Sequence, residues 1–193
     1  MDFKKALYNR KNISSWSDII PPKEKIDEII KILHDCSPSK QSEVRYSIDI
    51  IDNSNFDKKL QIYKACKADT HEEKPNGRYN PQVLAPWLIS FSDRLGNNKS
   101  KPSNQDIYLD IGIAVSTICY TASALGLDTG LCRCINYEDL VKDVLGYRPL
   151  QFIGIGYRSN SDSYYCPVYE KQMPNIQKDI KPKIDEYVQY VQL

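Results

Sequence analysis

The sequence has almost no net charge, and this shortage excludes two classes of partner. Twenty-six lysines and arginines stand against 25 aspartates and glutamates, which leaves a formal charge of +1. A balanced chain creates no overall field toward nucleic acid or an anionic membrane, so any anion site must be local. We therefore expect no nucleic-acid partner and no membrane partner.

The glycine-rich loops that hold nucleotides are also missing. The eight glycines form neither a Gly-x-Gly-x-x-Gly sequence nor a Walker loop, so a nucleotide held by either device is excluded. No protein side chain can carry a hydride. Hydride chemistry in this chain would therefore need a bound cofactor.

Histidine is scarce, and the cysteines do not follow a metal-binding pattern. His34 and His71 are far apart in the sequence and form no zinc-ligand spacing with each other or with a cysteine pair, and Cys132 and Cys134 are too close in sequence for an ordinary zinc pair. A nucleophilic dyad would need partners brought together from distant parts of the chain. We predict no metal site, and we expect the six cysteines to be reduced thiols of a cytoplasmic protein.

Long apolar runs are absent as well. Residues 1–5 include the charged side chains of Asp2, Lys4 and Lys5, and the apolar run that a signal peptide needs does not follow them. The longest uncharged stretch, residues 111–127, is shorter than the roughly 20 residues of a membrane span and contains several hydroxyl groups. We predict a buried helix there, which begins near Gln105 and ends at Gly126 with a left-handed cap.

The remaining sequence alternates between helical and strand periodicity. Ile26, Ile29, Ile30 and Leu33 recur at the spacing of one helical face. Further helices are predicted at residues 2–8, 53–67 and 137–145, and strands at residues 46–51, 83–91, 130–135 and 150–157. This alternation predicts an α+β fold with a mixed central sheet flanked by helices.

One domain accounts for the whole chain. A length of 193 residues suits a single core, and no linker or internal repeat marks a boundary. The C-terminal segment, about residues 170–193, carries an apolar stripe that one small core does not cover. We predict that it is an arm onto a partner subunit, and that the uncharged helix is covered partly by the same partner.

Three sequence motifs resemble the FMN-dependent nitroreductase family over nearly the whole chain. Residues 10–16, Arg-Lys-Asn-Ile-Ser-Ser-Trp, are similar to the family's Arg-Arg-Ser-x-Arg-x-Phe loop. Residues 37–42, Ser-Pro-Ser-Lys-Gln-Ser, resemble its Ala-Pro-Ser-x-x-Asn turn. Residues 110–114 and 124–130 resemble the family's central helix and its Ala-x-Gly-Leu-Gly-Thr exit. The resemblance implies a nitroreductase-like fold, an intertwined homodimer and bound FMN.

The resemblance also implies a role for individual residues. The loop would hold the phosphate and ribityl chain, the turn would lie over a flavin held mainly by the partner subunit, and the helix exit would run beside the ring. Arg158, after the last strand of the core, would reach the phosphate. Lys40 would act in catalysis as the positive charge beside the flavin ring. The implied cofactor-binding residues are Arg10, Lys11, Asn12, Ser14, Pro38, Ser39, Lys40, Gln41, Ser42, Thr129, Gly130, Leu131 and Arg158.

The chain departs from the family at three positions of these motifs. Asn12 replaces a serine, Ser14 replaces a cation, and Ser42 replaces an asparagine. The loss at Ser14 should weaken the hold on a phosphate. Two alternatives therefore stay open for the motifs themselves: a solvated loop at residues 10–16, and an ordinary helix-ending turn at residues 38–42.

The function implied is an oxidoreductase that passes hydride from NAD(P)H through FMN to a small acceptor such as a nitroaromatic or a quinone. The alternative is a carrier, a regulator or a flavin-consuming relative of the same fold that has no turnover with nicotinamide.

Overall fold

The part of the chain that the computed structural model describes is an α+β fold, as predicted. It comprises residues 3–36, 44–66, 80–93, 104–133, 135, 138–160, 163–166 and 171–174, and the structural statements below concern those residues. The helices are α1 (Phe3–Asn9), α2 (Lys23–Asp35), α3 (Phe56–Ala65), α4 (Asn104–Ala124) and α5 (Glu138–Leu145). The strands are β1 (Ser47–Ile51), β2 (Trp87–Ser92), β3 (Asp128–Cys132), β4 (Pro149–Gly156), β5 (Ser163–Cys166) and β6 (Lys171–Pro174).

The main sheet has the strand order β1-β2-β4-β3, and β5 pairs with β6 in a separate hairpin. Every strand pair described is antiparallel, which corrects the prediction of a mixed sheet. The parallel pairing described is an isolated bridge between Asn12 and Thr129. Alternating helices and strands do not fix strand direction, because a helix can return the chain to either end of a sheet.

Helices cover both faces of this sheet. On one face, α2 and α4 pack on the side chains that β2 and β4 direct to that face, which include Ile89 and Ile153. On the other face, α3 and α5 pack on the alternate side chains of the same strands, Leu88 and Phe152. Because neighbouring residues of a strand point to opposite faces, each central strand contributes to two cores.

The uncharged helix is α4. Its length and composition alone would also suit a membrane span, but it packs against α1, α2 and the sheet. Its last helical residue is Ala124, and the predicted left-handed cap follows at Gly126, which has a φ of 75°. There Leu127 N donates to Ala122 O at 2.8 Å, the bond of a left-handed helix cap.

The strand predicted at residues 83–91 is shorter than expected. A 3-10 turn covers Pro81–Leu84, and β2 begins only at Trp87. Pro81 starts the turn, and Pro86 has no N–H to donate to a sheet ladder, so the strand cannot extend through it.

Candidate functional site

The loop at residues 10–17, called the N-terminal loop below, follows α1 and pairs with the edge of β3. Ile13 N donates to Thr129 O at 3.0 Å. Leu131 N donates to the side-chain oxygen of Asn12 at 2.6 Å. The first half of the loop therefore behaves as a short extra strand beside β3.

The second half of the loop is attached to the segment after β4. Ser17 N donates to Tyr157 O at 2.8 Å, and Ser159 N donates to Ser15 O at 3.0 Å. Trp16 and Arg158 form an isolated antiparallel bridge between these two bonds. The loop thus gathers the start of β3 and the end of β4 into one corner, which is the candidate site.

Arg10 lies in this corner, next to the last turns of α4. Its charge acts on the thiol of Cys119, which also bonds with the Thr129 side chain. Burial raises the pKa of Cys119, and both the Thr129 bond and the Arg10 guanidinium oppose that rise. Arg10 and Thr129 therefore both act on the thiol of Cys119, and exposed Lys11 directly follows Arg10.

Arg158 lies in the same corner but is held by a carboxylate. Its Nε donates to Asp128 Oδ2 at 2.9 Å and its Nη2 donates to Oδ1. Nη2 also donates to Asn9 O at 3.3 Å. The hydrogen bond with Asp128 is the main cause that raises the pKa of Arg158. The positive charge of Arg158 is therefore largely compensated by the negative charge of Asp128.

Asp128 is a site residue that the sequence analysis missed. It pairs with Gly156 in the register of β3 and β4, two residues before Arg158. Opposite charges at such positions form a cross-strand pair. The sequence contains both charged residues, but they can be recognised as a pair only when β3 is known to pair with β4.

Gly130 allows a close approach of the protein's own chain. A Cβ there would overlap the carbonyl oxygen of Ile13 and lie 2.7 Å from Cγ of Gln82. The missing side chain therefore makes room for the N-terminal loop. Leu131 is half-buried against the core on the opposite face, beside α4.

Two predicted groups remain, Ser14 and the turn at residues 37–42. Ser14 is buried in the loop, with 8% of its surface exposed. The turn that contains Pro38, Ser39, Lys40, Gln41 and Ser42 lies outside the described residues.

The chain directly after that turn is fixed to α4. Arg45 Nη1 lies 3.2 Å from Asp110 Oδ2 in an ion pair, and Asp110 is buried. Burial, together with the Asp110 charge, raises the pKa of the adjacent Tyr46 to about 12. The ion pair sets where the chain leaves the predicted flavin turn.

The described residues include no group of three or more His, Cys, Asp or Glu side chains that could hold a metal ion. Cys36, Cys66, Cys119 and Cys132 are thiols in the structure. The side chains described in this corner include the cations Arg10 and Arg158, the Asp128 carboxylate, the Thr129 hydroxyl and the Cys119 thiol.

Neither a protein-family model nor a curated protein sequence matches the chain, but solved structures do. A putative NAD(P)H:FMN oxidoreductase from Staphylococcus epidermidis has a TM-score of 0.72 at 16% identity, over 98% of this chain and 96% of that one. The FMN-dependent nitroreductase NfnB from Mycobacterium smegmatis, solved with NADPH, has a TM-score of 0.70 at 13% identity, over 98% and 97%. A nitroreductase family protein from Clostridium novyi NT has a TM-score of 0.65 at 21% identity, over 83% and 87%. The resemblance inferred from the motifs is thus confirmed at the level of architecture, and the chain has the nitroreductase fold.

Proposed function

We propose that this protein is an FMN-dependent oxidoreductase that passes hydride from NAD(P)H to a small acceptor such as a nitroaromatic or a quinone. The observation that carries the proposal is the position of Arg10. A loop with the family's pattern pairs with β3 through Asn12 and Thr129, and Arg10 stands at the start of that loop, where its charge acts on Cys119 of α4. The solved structures of the same fold include proteins described as FMN-dependent and NADPH-dependent.

The donor set in the corner suits a phosphate monoester. Arg10 and Lys11 are adjacent cations, and a guanidinium forms charge-assisted hydrogen bonds to phosphate oxygens. Arg158 is engaged by Asp128, so we assign it to holding the end of α1, directly before the loop, through the Asn9 carbonyl. Arg10 is then the main phosphate ligand, with Lys11 beside it.

The other residues position the cofactor and the substrate. Asn12 ties the loop to β3, and Thr129 and Leu131 define the strand along which the ring would lie. FMN, when bound, would accept hydride from the nicotinamide and pass it on. The protein's own contribution is orientation, exclusion of water and a positive charge near the ring, for which Lys40 is our candidate.

Two measurements on the purified protein test the proposal. We expect flavin absorption bands after reconstitution with FMN, and rapid bleaching of those bands when NADH or NADPH is added under nitrogen. Addition of a nitroaromatic or a quinone should then restore them. Absence of flavin binding would overturn the proposal. Binding without bleaching would favour the alternative of a carrier, a regulator or a flavin-consuming relative, which the buried, uncharged Ser14 supports.

We further propose that the protein is a cytoplasmic homodimer, as expected from the sequence. Leu109 and Ile113 on α4 are 65% and 41% exposed. Phe3 on α1 is also exposed, and its ring contacts Tyr120 of α4 edge to face. These apolar side chains form one surface along α1 and α4, which a second copy would cover.

We predict that Leu109→Arg converts the dimer to a monomer, because the substitution places a charge on that surface at its most exposed α4 side chain. Dimers of this kind often bury on the order of 2,000 Å² or more. Light scattering at micromolar concentration measures the change. Leu140→Arg is the control, since Leu140 is 53% exposed on α5, away from α1 and α4. A wild-type protein that is monomeric, folded and loaded with flavin would contradict the prediction.

A further inference from the structure

The indole of Trp16 lies across a groove of glycines on the sheet. Gly130 and Gly154 are cross-strand partners in β3 and β4, and Gly156 follows on the same face of β4. A Cβ at Gly130 would lie 3.1 Å from Cζ2 of Trp16, and one at Gly154 would lie 2.8 Å from it. A Cβ at Gly156 would lie 2.8 Å from Cε3. Three neighbouring positions therefore lack side chains where the indole lies.

The polar edge of the same ring is also held. Trp16 Nε1 donates to Pro81 O at 3.0 Å. The indole cannot leave the groove without losing this bond and exposing the backbone of three glycines. Trp16 is thus fixed by shape on one side and by a hydrogen bond on the other.

The fixed ring lies in the loop that carries Arg10. Between Arg10 and Trp16, the loop meets β3 through Asn12 and Ile13. These bonds pair the first half of the loop with β3, whereas the far end is held by the backbone bonds of Ser15 and Ser17 and by the indole of Trp16, which is the side chain inserted into the sheet there. A small displacement of a binding group loses much of the affinity that the group contributes. The residue that anchors this loop should therefore affect how tightly Arg10 binds a ligand.

We propose that Trp16 is the positioning residue of the phosphate corner. It acts through the N-terminal loop on Arg10, and it sets the affinity for the phosphate of FMN without touching the cofactor. The inference rests on the proposed binding of FMN.

The test compares FMN with riboflavin, which lacks the phosphate. In Trp16→Ala we expect FMN affinity to fall by about tenfold or more, while riboflavin affinity falls much less. Trp16→Phe keeps an aromatic ring in the groove and should restore most of the FMN affinity. Gly156→Ala keeps the Trp16 residue but adds a methyl group that would displace its ring and contact Pro86. It should therefore lower the ratio of FMN to riboflavin affinity as well.

Trp87→Phe is the matched control. Its indole also donates to a backbone oxygen, that of Pro21 at 2.9 Å, but it lies in the core on the opposite face of the sheet. This variant should lose stability in urea and keep the wild-type ratio of FMN to riboflavin affinity. It also leaves Trp16 as the remaining tryptophan, so quenching of its emission by FMN can be followed directly.

The outcomes separate this inference from the proposed function. A wild-type protein that binds no FMN overturns both. If the wild-type protein binds FMN, the ratio of FMN to riboflavin affinity in folded Trp16→Phe and Gly156→Ala variants tests the role of Trp16. This test holds even if Trp16→Ala does not fold. If Gly156→Ala and every folded Trp16 variant keep the wild-type ratio of FMN to riboflavin affinity, the inference is wrong and the proposed function stands.

Discussion

Replacement of Arg10 by alanine should lower the affinity for FMN by about tenfold to a hundredfold or more. Each charge-assisted hydrogen bond from a guanidinium to a phosphate is worth roughly 1.5 to 3 kcal/mol, and about 1.4 kcal/mol corresponds to a tenfold change in affinity. The affinity for riboflavin should hardly change, because riboflavin has no phosphate. Fluorescence titration of both flavins measures the two affinities in the same protein.

The contrast between the two flavins distinguishes a ligand from a structural residue. Arg133→Ala is the control, because it removes the same charge beyond the other end of β3, where the guanidinium stacks on Tyr108 at 4.8 Å. It should leave the ratio of FMN to riboflavin affinity unchanged. Equal losses for both flavins in Arg10→Ala would indicate a loss of fold, and no loss for either would mean that the Arg10 side chain does not contact the phosphate.

Replacement of Lys59 by methionine should lower the free energy of unfolding by about 2–4 kcal/mol. Lys59 is completely buried. Its Nζ donates to Ala85 O at 2.8 Å, to Pro86 O at 3.2 Å and to the side-chain oxygen of Asn53 at 3.1 Å. Methionine fills the space but leaves buried oxygens without a donor. Urea denaturation measures the loss, and exposed Lys58→Met on the same helix is the control.

The same lysine should make stability depend on pH. Burial lowers the pKa of Lys59 to about 8 from its ordinary 10.5, and the Asp52 charge opposes this. Between these values the unfolded chain holds the extra proton, so the free energy of unfolding should rise with pH above 8. The slope is at most about 1.4 kcal/mol per pH unit.

A second buried group reverses this trend at higher pH. The pKa of Tyr46 is raised to about 12 from its ordinary 10.0. Above pH 10 the folded state therefore holds the extra proton, and stability should fall. For these two groups together the stability is greatest near pH 10. The difference between wild type and Lys59→Met isolates the lysine, and a difference that does not change between pH 8 and 10 would contradict its assigned pKa.

Part of the fold follows from the sequence because its signals are local. The apolar spacing that begins at Ile26 predicts α2, and Ile26, Ile29 and Leu33 are buried there. The uncharged stretch predicts α4, and Gly126 ends that helix with a positive φ. Such patterns lie within a window of a few turns, where side-chain period and backbone conformation are directly linked.

The loop motif draws attention to the residues of the corner, but it does not say what each one contacts. Arg10 and Thr129 both act on the thiol of Cys119. Arg158 arrives in the same place already paired with Asp128, which stands 30 residues earlier in the chain. The sequence shows both charges, yet only the register of β3 and β4 makes them partners.

The sequence by itself determined the α+β class, the positions of the main helices and the loop that carries Arg10. The tertiary structure decided the antiparallel sheet, the glycine groove under Trp16 and the buried position of Lys59. Each of these depends on contacts between segments far apart in the chain. A local pattern specifies which face of a segment is apolar, whereas the identity and direction of the segment that covers it are set only when the whole core is assembled.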